Sequence, residues 1–167
     1  ILKRKKNLRL IDASKLGRQN SKNVTSHFDS LLLQSTDNKI FTKDNFKVVS
    51  KIKPTKKILD ELLFAFNVCR NVKSNAIVLT RNSSTIGIGS GQPSRLDSCR
   101  IAIDKMNKFQ KISEDDVILG ASDAFFPFID GIETLVQNGV SAIIQPAGSI
   151  RDKDCLLYTS DAADDVY

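Results

Sequence analysis

The chain has 167 residues, 41% hydrophobic and 26% charged, which fits one globular domain or part of one. No stretch approaches the roughly 18 consecutive apolar residues of a membrane-spanning helix, so no membrane role is expected. The net charge of +6 is open to three readings: a solvated basic face, attraction for an anionic small ligand, or a nucleic-acid surface.

Basic residues cluster at 3–6 and 51–57, without the interleaved aromatics of single-strand binders, so no nucleic acid is the expected partner. Cys69, Cys99 and Cys155 are an odd set with no Cys-x-x-Cys spacing, and His27 is the single histidine. No metal site is therefore expected, and reduced cysteines suit a cytoplasmic protein. The chain opens Ile1-Leu2-Lys3-Arg4, with neither an initiating Met nor a signal-peptide pattern, and reads as cut from something longer.

Residues 7–11 and 30–33 read as short strands joined by a polar connection, and residues 46–52 alternate well enough for a third. Pro54-Thr55 opens a helix that Thr55 can cap, with Ile58, Leu59, Leu62, Leu63 and Phe66 on one face as core. An apolar, β-branched run at 75–80 is a strand, Asn82-Ser83-Ser84 a turn, and 85–89 its hairpin partner. Residues 94–109 read as a helix with Leu96, Ile103 and Met106 among its apolar positions. Residues 117–119 form a buried strand, 131–138 a short helix stopped by Gly139, and 140–145 another buried strand. Ser149-Ile150-Arg151-Asp152 looks like a capping box opening a further helix. Alternating strands and helices make the class α/β, where ligand loops usually lie beyond strand ends. Residues 156–167 are acidic, lack an amphipathic pattern and resemble translated adapter sequence. They are expected to be a non-native or disordered tail, the alternative being a genuine short acidic one.

Four segments could carry chemistry. Lys73-Ser74-Asn75 places an amide, both donor and acceptor, before a buried strand; a plain strand-start turn is the bland alternative. Gly87-Ile88-Gly89-Ser90-Gly91-Gln92-Pro93-Ser94-Arg95 has glycines that let backbone approach a ligand, but neither dinucleotide-fold nor P-loop spacing. Arg95, in the first helical turn, opposes the helix dipole and calls for a negative partner, which an anionic ligand would supply. Ser122-Asp123-Ala124-Phe125-Phe126-Pro127-Phe128-Ile129-Asp130-Gly131 puts three rings between carboxylates with no regular period. Such rings suit a flat heterocycle with hydrogen-bonding edges, unless they simply plug the core. Gln145-Pro146-Ala147-Gly148-Ser149 follows a strand and otherwise reads as a strand-to-helix turn.

Taken in register, these segments resemble the bifunctional purine-biosynthesis family PurH, the AICAR transformylase/IMP cyclohydrolases, in the C-terminal part of the transformylase domain. The resemblance is carried by residues 72–78, 85–95, 121–132 and 144–152, and runs more weakly over 1–155. It implies a cytidine-deaminase-like α/β fold, a mixed sheet with flanking helices, and no catalytic zinc. The implied activity is transfer of a formyl group from formyl-tetrahydrofolate, a co-substrate, to the amine of AICAR, in a cytoplasmic homodimer. Asn75 matches the position at the reacting amine, in a supporting catalytic and substrate-binding role, and Phe125 a ring that packs on AICAR. Arg95, Pro127, Phe128, Asp130 and Ser149 match folate-side positions.

Some residues depart from the family pattern. Ile129 stands where Arg is usual, which puts a local ion pair in doubt, and Ala147 where Gly or Ser is usual. The family's Lys-His-x-Asn-Pro-Cys-Gly motif and its Arg-rich AICAR-phosphate segment are missing from the chain, and His27 matches neither. The isolated chain is therefore expected to be inactive. Rival readings are a basic nucleic-acid-binding α/β module and a zinc nucleobase deaminase; the latter fails for want of a His/Cys ligand set.

Overall fold

The computed structural model describes residues 9, 11–12, 22–37, 39–113 and 115–148. The chain divides into two compact units, residues 1–40 and 41–167. In the first, β1 (Lys22–His27) and β2 (Ser30–Ser35) form an antiparallel hairpin pairing Val24 with Leu33 and Ser26 with Leu31. Phe28 takes the turn at φ 48°. Every position of both strands is exposed, including Leu31 at 72%.

The second unit is a four-stranded mixed sheet with helices on both faces, as the α/β reading requires. After a short 3-10 turn at Lys43–Asn45, the elements are α1 (Lys56–Cys69), β3 (Ile77–Arg81), β4 (Ser84–Gly89), α2 (Arg95–Phe109), β5 (Ile118–Ser122), α3 (Asp130–Gln137) and β6 (Val140–Ile144). Strand order is β4-β3-β5-β6: β3 runs antiparallel to β4 and β5, and β5 parallel to β6.

Local chemistry sets these boundaries. Thr55 caps α1 by accepting from the Ile58 N–H at 3.3 Å, and Ser94 caps α2. Asn82 and Ser83 both take positive φ, 52° and 58°, the left-handed pair that a tight two-residue hairpin needs. Gly139, at φ 85°, stops α3.

Alternation along β3 sends Ile77 and Leu79 to one face, packed with Cys99, Ile103 and Met106 of α2 and Leu135 of α3. Val78 goes to the other face with Ala65, Phe66 and Cys69 of α1 and Ala121 of β5. Of the expected α1 stripe, Leu62 and Phe66 are buried, while Ile58, Leu59 and Leu63 are half-buried. Residues 46–52 are not a strand. Phe46 is drawn into a ring cluster with Phe41 and Phe66, and Val48, Val49 and Ile52 stay exposed without a pairing partner among the described residues. The expected strand at 7–11, the capping box at 149–152 and the tail at 156–167 fall largely or wholly outside the described residues.

Candidate functional site

The register gathers the four segments at one end of the sheet. Ile77, opening β3, pairs with Gly89 at the end of β4 and with Ser122 at the end of β5, and Ala121 pairs with Ile144 at the end of β6. The residues just beyond, 73–76, 90–95, 123–130 and 145, therefore emerge side by side.

A cleft of about 420 Å³ lies there, lined by Asn75, Pro93, Ser94, Arg95, Leu96 and residues 124–128, 130 and 131. Arg95 is buried in its wall. Its Nη1 donates to Asp123 Oδ1 at 2.6 Å and to Ser122 Oγ at 2.8 Å, and its Nη2 to Asn75 Oδ1 at 2.7 Å. Asp123 also accepts from the Ala76 N–H at 2.9 Å and from the Ser74 hydroxyl. Partial burial pushes the Asp123 carboxyl up, but these donors and the Arg95 charge outweigh it and hold the group below the usual carboxylate range. Asn75 Nδ2 donates to the carbonyls of Gln92, at 2.9 Å, and Pro93, at 3.1 Å. The Ser74–Asn75 peptide bond is cis.

The Phe-rich loop divides its rings. Phe126 is 1% exposed and plugs the core against Gly131, while its N–H donates to Gln145 Oε1 at 3.0 Å. Phe125, 40% exposed, and Phe128, 53% exposed, turn to the cleft with Pro127. Asp130 opens α3 and accepts from the Gly131 N–H at 2.8 Å. A carboxylate in the first turn suits the positive end of the helix.

Asn75, Arg95, Phe125, Pro127, Phe128 and Asp130 thus line one cleft, and Ser149 lies outside the described residues. Two readings of the glycine segment are corrected. Arg95 already has an anionic partner within the chain, Asp123, so a ligand is not needed to balance it. Gly87 and Gly89 make room for a helix: a Cβ on them would lie 2.1 Å from the Ala102 carbonyl oxygen and 1.9 Å from that of Ser98, both in α2. Only Gly91, at φ +69°, serves the turn. Asp123, the partner of Arg95, was not among the expected site residues. The available signal was a carboxylate directly after a buried strand, facing an arginine that opens a helix.

Burial pushes the Cys69 and Cys99 thiols up to about 12, so neither suits a nucleophile. Among the described residues no three His, Cys, Asp or Glu side chains gather as a metal set, and no helix is long and apolar enough to cross a membrane.

The aromatic-walled cleft lies at the strand ends of an α/β unit, where small-molecule sites in such folds usually lie. The family model for the AICARFT/IMPCHase bienzyme matches residues 1–105, and the chain belongs to that family. It is 45% identical over 157 residues to the bifunctional purine biosynthesis protein PurH of Leuconostoc mesenteroides, covering 93% of the chain and 30% of that protein. It is 40% identical over 158 residues to PurH of Lactobacillus acidophilus and 42% identical over 165 to that of Bartonella bacilliformis, with the same shares. The chain therefore spans about 30% of the length of these relatives.

Proposed function

We propose that the chain is part of an AICAR formyltransferase working in purine biosynthesis, and that its cleft walls the formyl-transfer site. One observation carries the reading. Residues expected from three separate segments meet in a single cleft whose exposed rings and carboxylate suit a flat, hydrogen-bonding heterocycle. The likeness to PurH proteins over 93% of the chain supports it.

The AICAR amine is conjugated to its imidazole and is a weak nucleophile. Transfer needs it held against the formyl carbon, the developing oxyanion stabilised and a proton removed. Asn75 meets the reacting amine region, Phe125 packs on the AICAR ring, and Pro127 and Phe128 form the folate wall. Asp130 accepts from the pterin edge, and Arg95 and Ser149 lie on the folate side. Formyl-tetrahydrofolate is a co-substrate, consumed in the reaction. Residues 1–155 belong to the transformylase domain of a cytoplasmic, homodimeric protein about as long as the relatives, whose other domain closes the ring to IMP. Residues 156–167 do not belong to it.

The proton chemistry is assigned to the family's Lys-His motif, which these 167 residues lack; His27, the single histidine, does not match it and stands on the exposed hairpin. A spectrophotometric assay with AICAR and formyl-tetrahydrofolate tests both halves of the reading. The full-length gene product should turn over and the 167-residue chain should not. Failure of the first, or full-length-like rates from the second, refutes the proposal.

A further inference from the structure

Asp123 has no task in the reaction proposed above, yet its carboxylate is the knot of the cleft wall. It accepts from the Ser74 hydroxyl, from the Ala76 N–H at 2.9 Å and from Arg95 Nη1 at 2.6 Å. Its own N–H donates to the Ala76 carbonyl at 3.3 Å. Ser74 and Ala76 are the two sequence neighbours of Asn75. Arg95 carries the link to Asn75 itself, donating from Nη2 to Oδ1 at 2.7 Å. One carboxylate therefore holds Asn75 by both neighbours and by its side-chain oxygen.

This arrangement decides what Asn75 can do. A carboxamide has two N–H donors and two oxygen lone pairs. Both donors are used, on the carbonyls of Gln92 and Pro93, and one lone pair is taken by Arg95. What remains is a single acceptor position on Oδ1. Rotating the amide to offer an N–H instead would set its NH₂ against the Arg95 guanidinium and break three hydrogen bonds, leaving the Gln92 carbonyl only the Asn75 backbone N–H at 3.3 Å.

We infer that Asp123 is a positioning residue that fixes Asn75 as a pure hydrogen-bond acceptor, matched to an amino group on the ligand. The ligand side of this inference rests on the proposed function, whereas the positioning is a property of the chain alone. Charge-assisted bonds from Arg95 give the restraint its strength. An acceptor aimed at an amine orients the nitrogen lone pair, and it rejects a ligand carrying a carbonyl at that place.

The nitrogen-15-labelled 167-residue chain tests it, with the Asn75 side-chain signals assigned by their loss in Asn75→Ser. Asp123→Asn should speed solvent exchange of the Asn75 amide by roughly tenfold or more, as loss of a charge-assisted bond implies. Asp116→Asn, which removes a carboxylate from Arg81 at the opposite end of the sheet, should leave that exchange unchanged. Should Asp123→Asn unfold, Arg95→Lys answers the same question, because an ammonium cannot span Asp123 and Asn75 as the guanidinium fork does. Unchanged exchange in the folded variant, or equal effects from Asp116→Asn, overturns the positioning role. AICAR should shift the Asn75 signals, and its analogue with hydrogen replacing the reacting amine should not. Equal shifts from both, or none from AICAR, overturn the acceptor role. Absence of formyl transfer by the full-length protein would defeat the functional reading and leave the exchange result standing.

Discussion

At one end of the sheet Arg95 reaches Asp123 at 2.6 Å, and at the other Arg81 reaches Asp116 at 2.5 Å. The two contacts are nearly equal in length and differ in setting. Arg95 and Asp123 are 8% and 14% exposed, against 20% and 22% for Arg81 and Asp116. The first pair joins the starts of β3 and α2 to the end of β5, through Ser74, Ala76, Asn75 and Ser122. The second fastens the loop before β5, with Arg81 also donating to the Lys111 carbonyl at 3.0 Å and Asp116 accepting from the Ser113 N–H at 2.8 Å. Contact distance alone says little about an ion pair. What decides is how many otherwise unpaired groups depend on it and how far water is kept away.

The largest expected effect follows from that difference. Arg95→Ala takes the one cationic partner from Asp123 and a donor from Asn75 in the cleft wall, and should cost about 3 kcal/mol in urea unfolding. Arg81→Ala, closer to water, should cost about 1 kcal/mol or less. Equal costs would erase the distinction between the two ends.

A smaller effect tests how closely the site end is packed. Gly89→Ala drives a methyl into the Ser98 carbonyl of α2 and should cost about 1–3 kcal/mol. Ser84→Ala, exposed at the other end of the same strand, should stay within about 0.5 kcal/mol. Denaturant midpoints of the two variants make the comparison.

The smallest effect is on pH. Asp123 in the folded chain titrates below its unfolded value, so its contribution is present above about pH 4 and is lost as pH falls through the folded value. Asp116 is also lowered, chiefly by the Ser113 N–H, and acts in the same direction. Acid unfolding of Asp123→Asn should therefore show a flatter stability limb below pH 4 than the wild type. An identical limb would mean that the site-end carboxylate contributes nothing to it.

Much of this was legible in the residues, for local reasons. Thr55 announces a helix because its oxygen serves a free N–H group, and Asn82-Ser83 announces a tight turn because Asn tolerates left-handed backbone and both side chains can bond locally. The cleft residues stood out because rings and carboxylates in an irregular segment have no secondary-structure explanation. β1 escaped notice because Lys22, Asn23, Thr25, Ser26 and His27 carry almost no apolar pattern; its partner strand holds the leucines. Residues 46–52 misled because alternation signals a strand only where a neighbour completes the ladder. The true partner of Arg95 escaped notice because Asp123 lies 28 positions away and meets it only through the register of β3 with β5.

Phe126 is wedged against Gly131 on one side and tied through its N–H to Gln145 on the other, so the Phe-rich loop leans on both α3 and the end of β6. Its two outward rings are thus mounted on a fixed support before any ligand arrives. A wall set in advance spends little ordering entropy at the moment of encounter. Changes to its rings should then alter how long a ligand stays far more than how often it arrives.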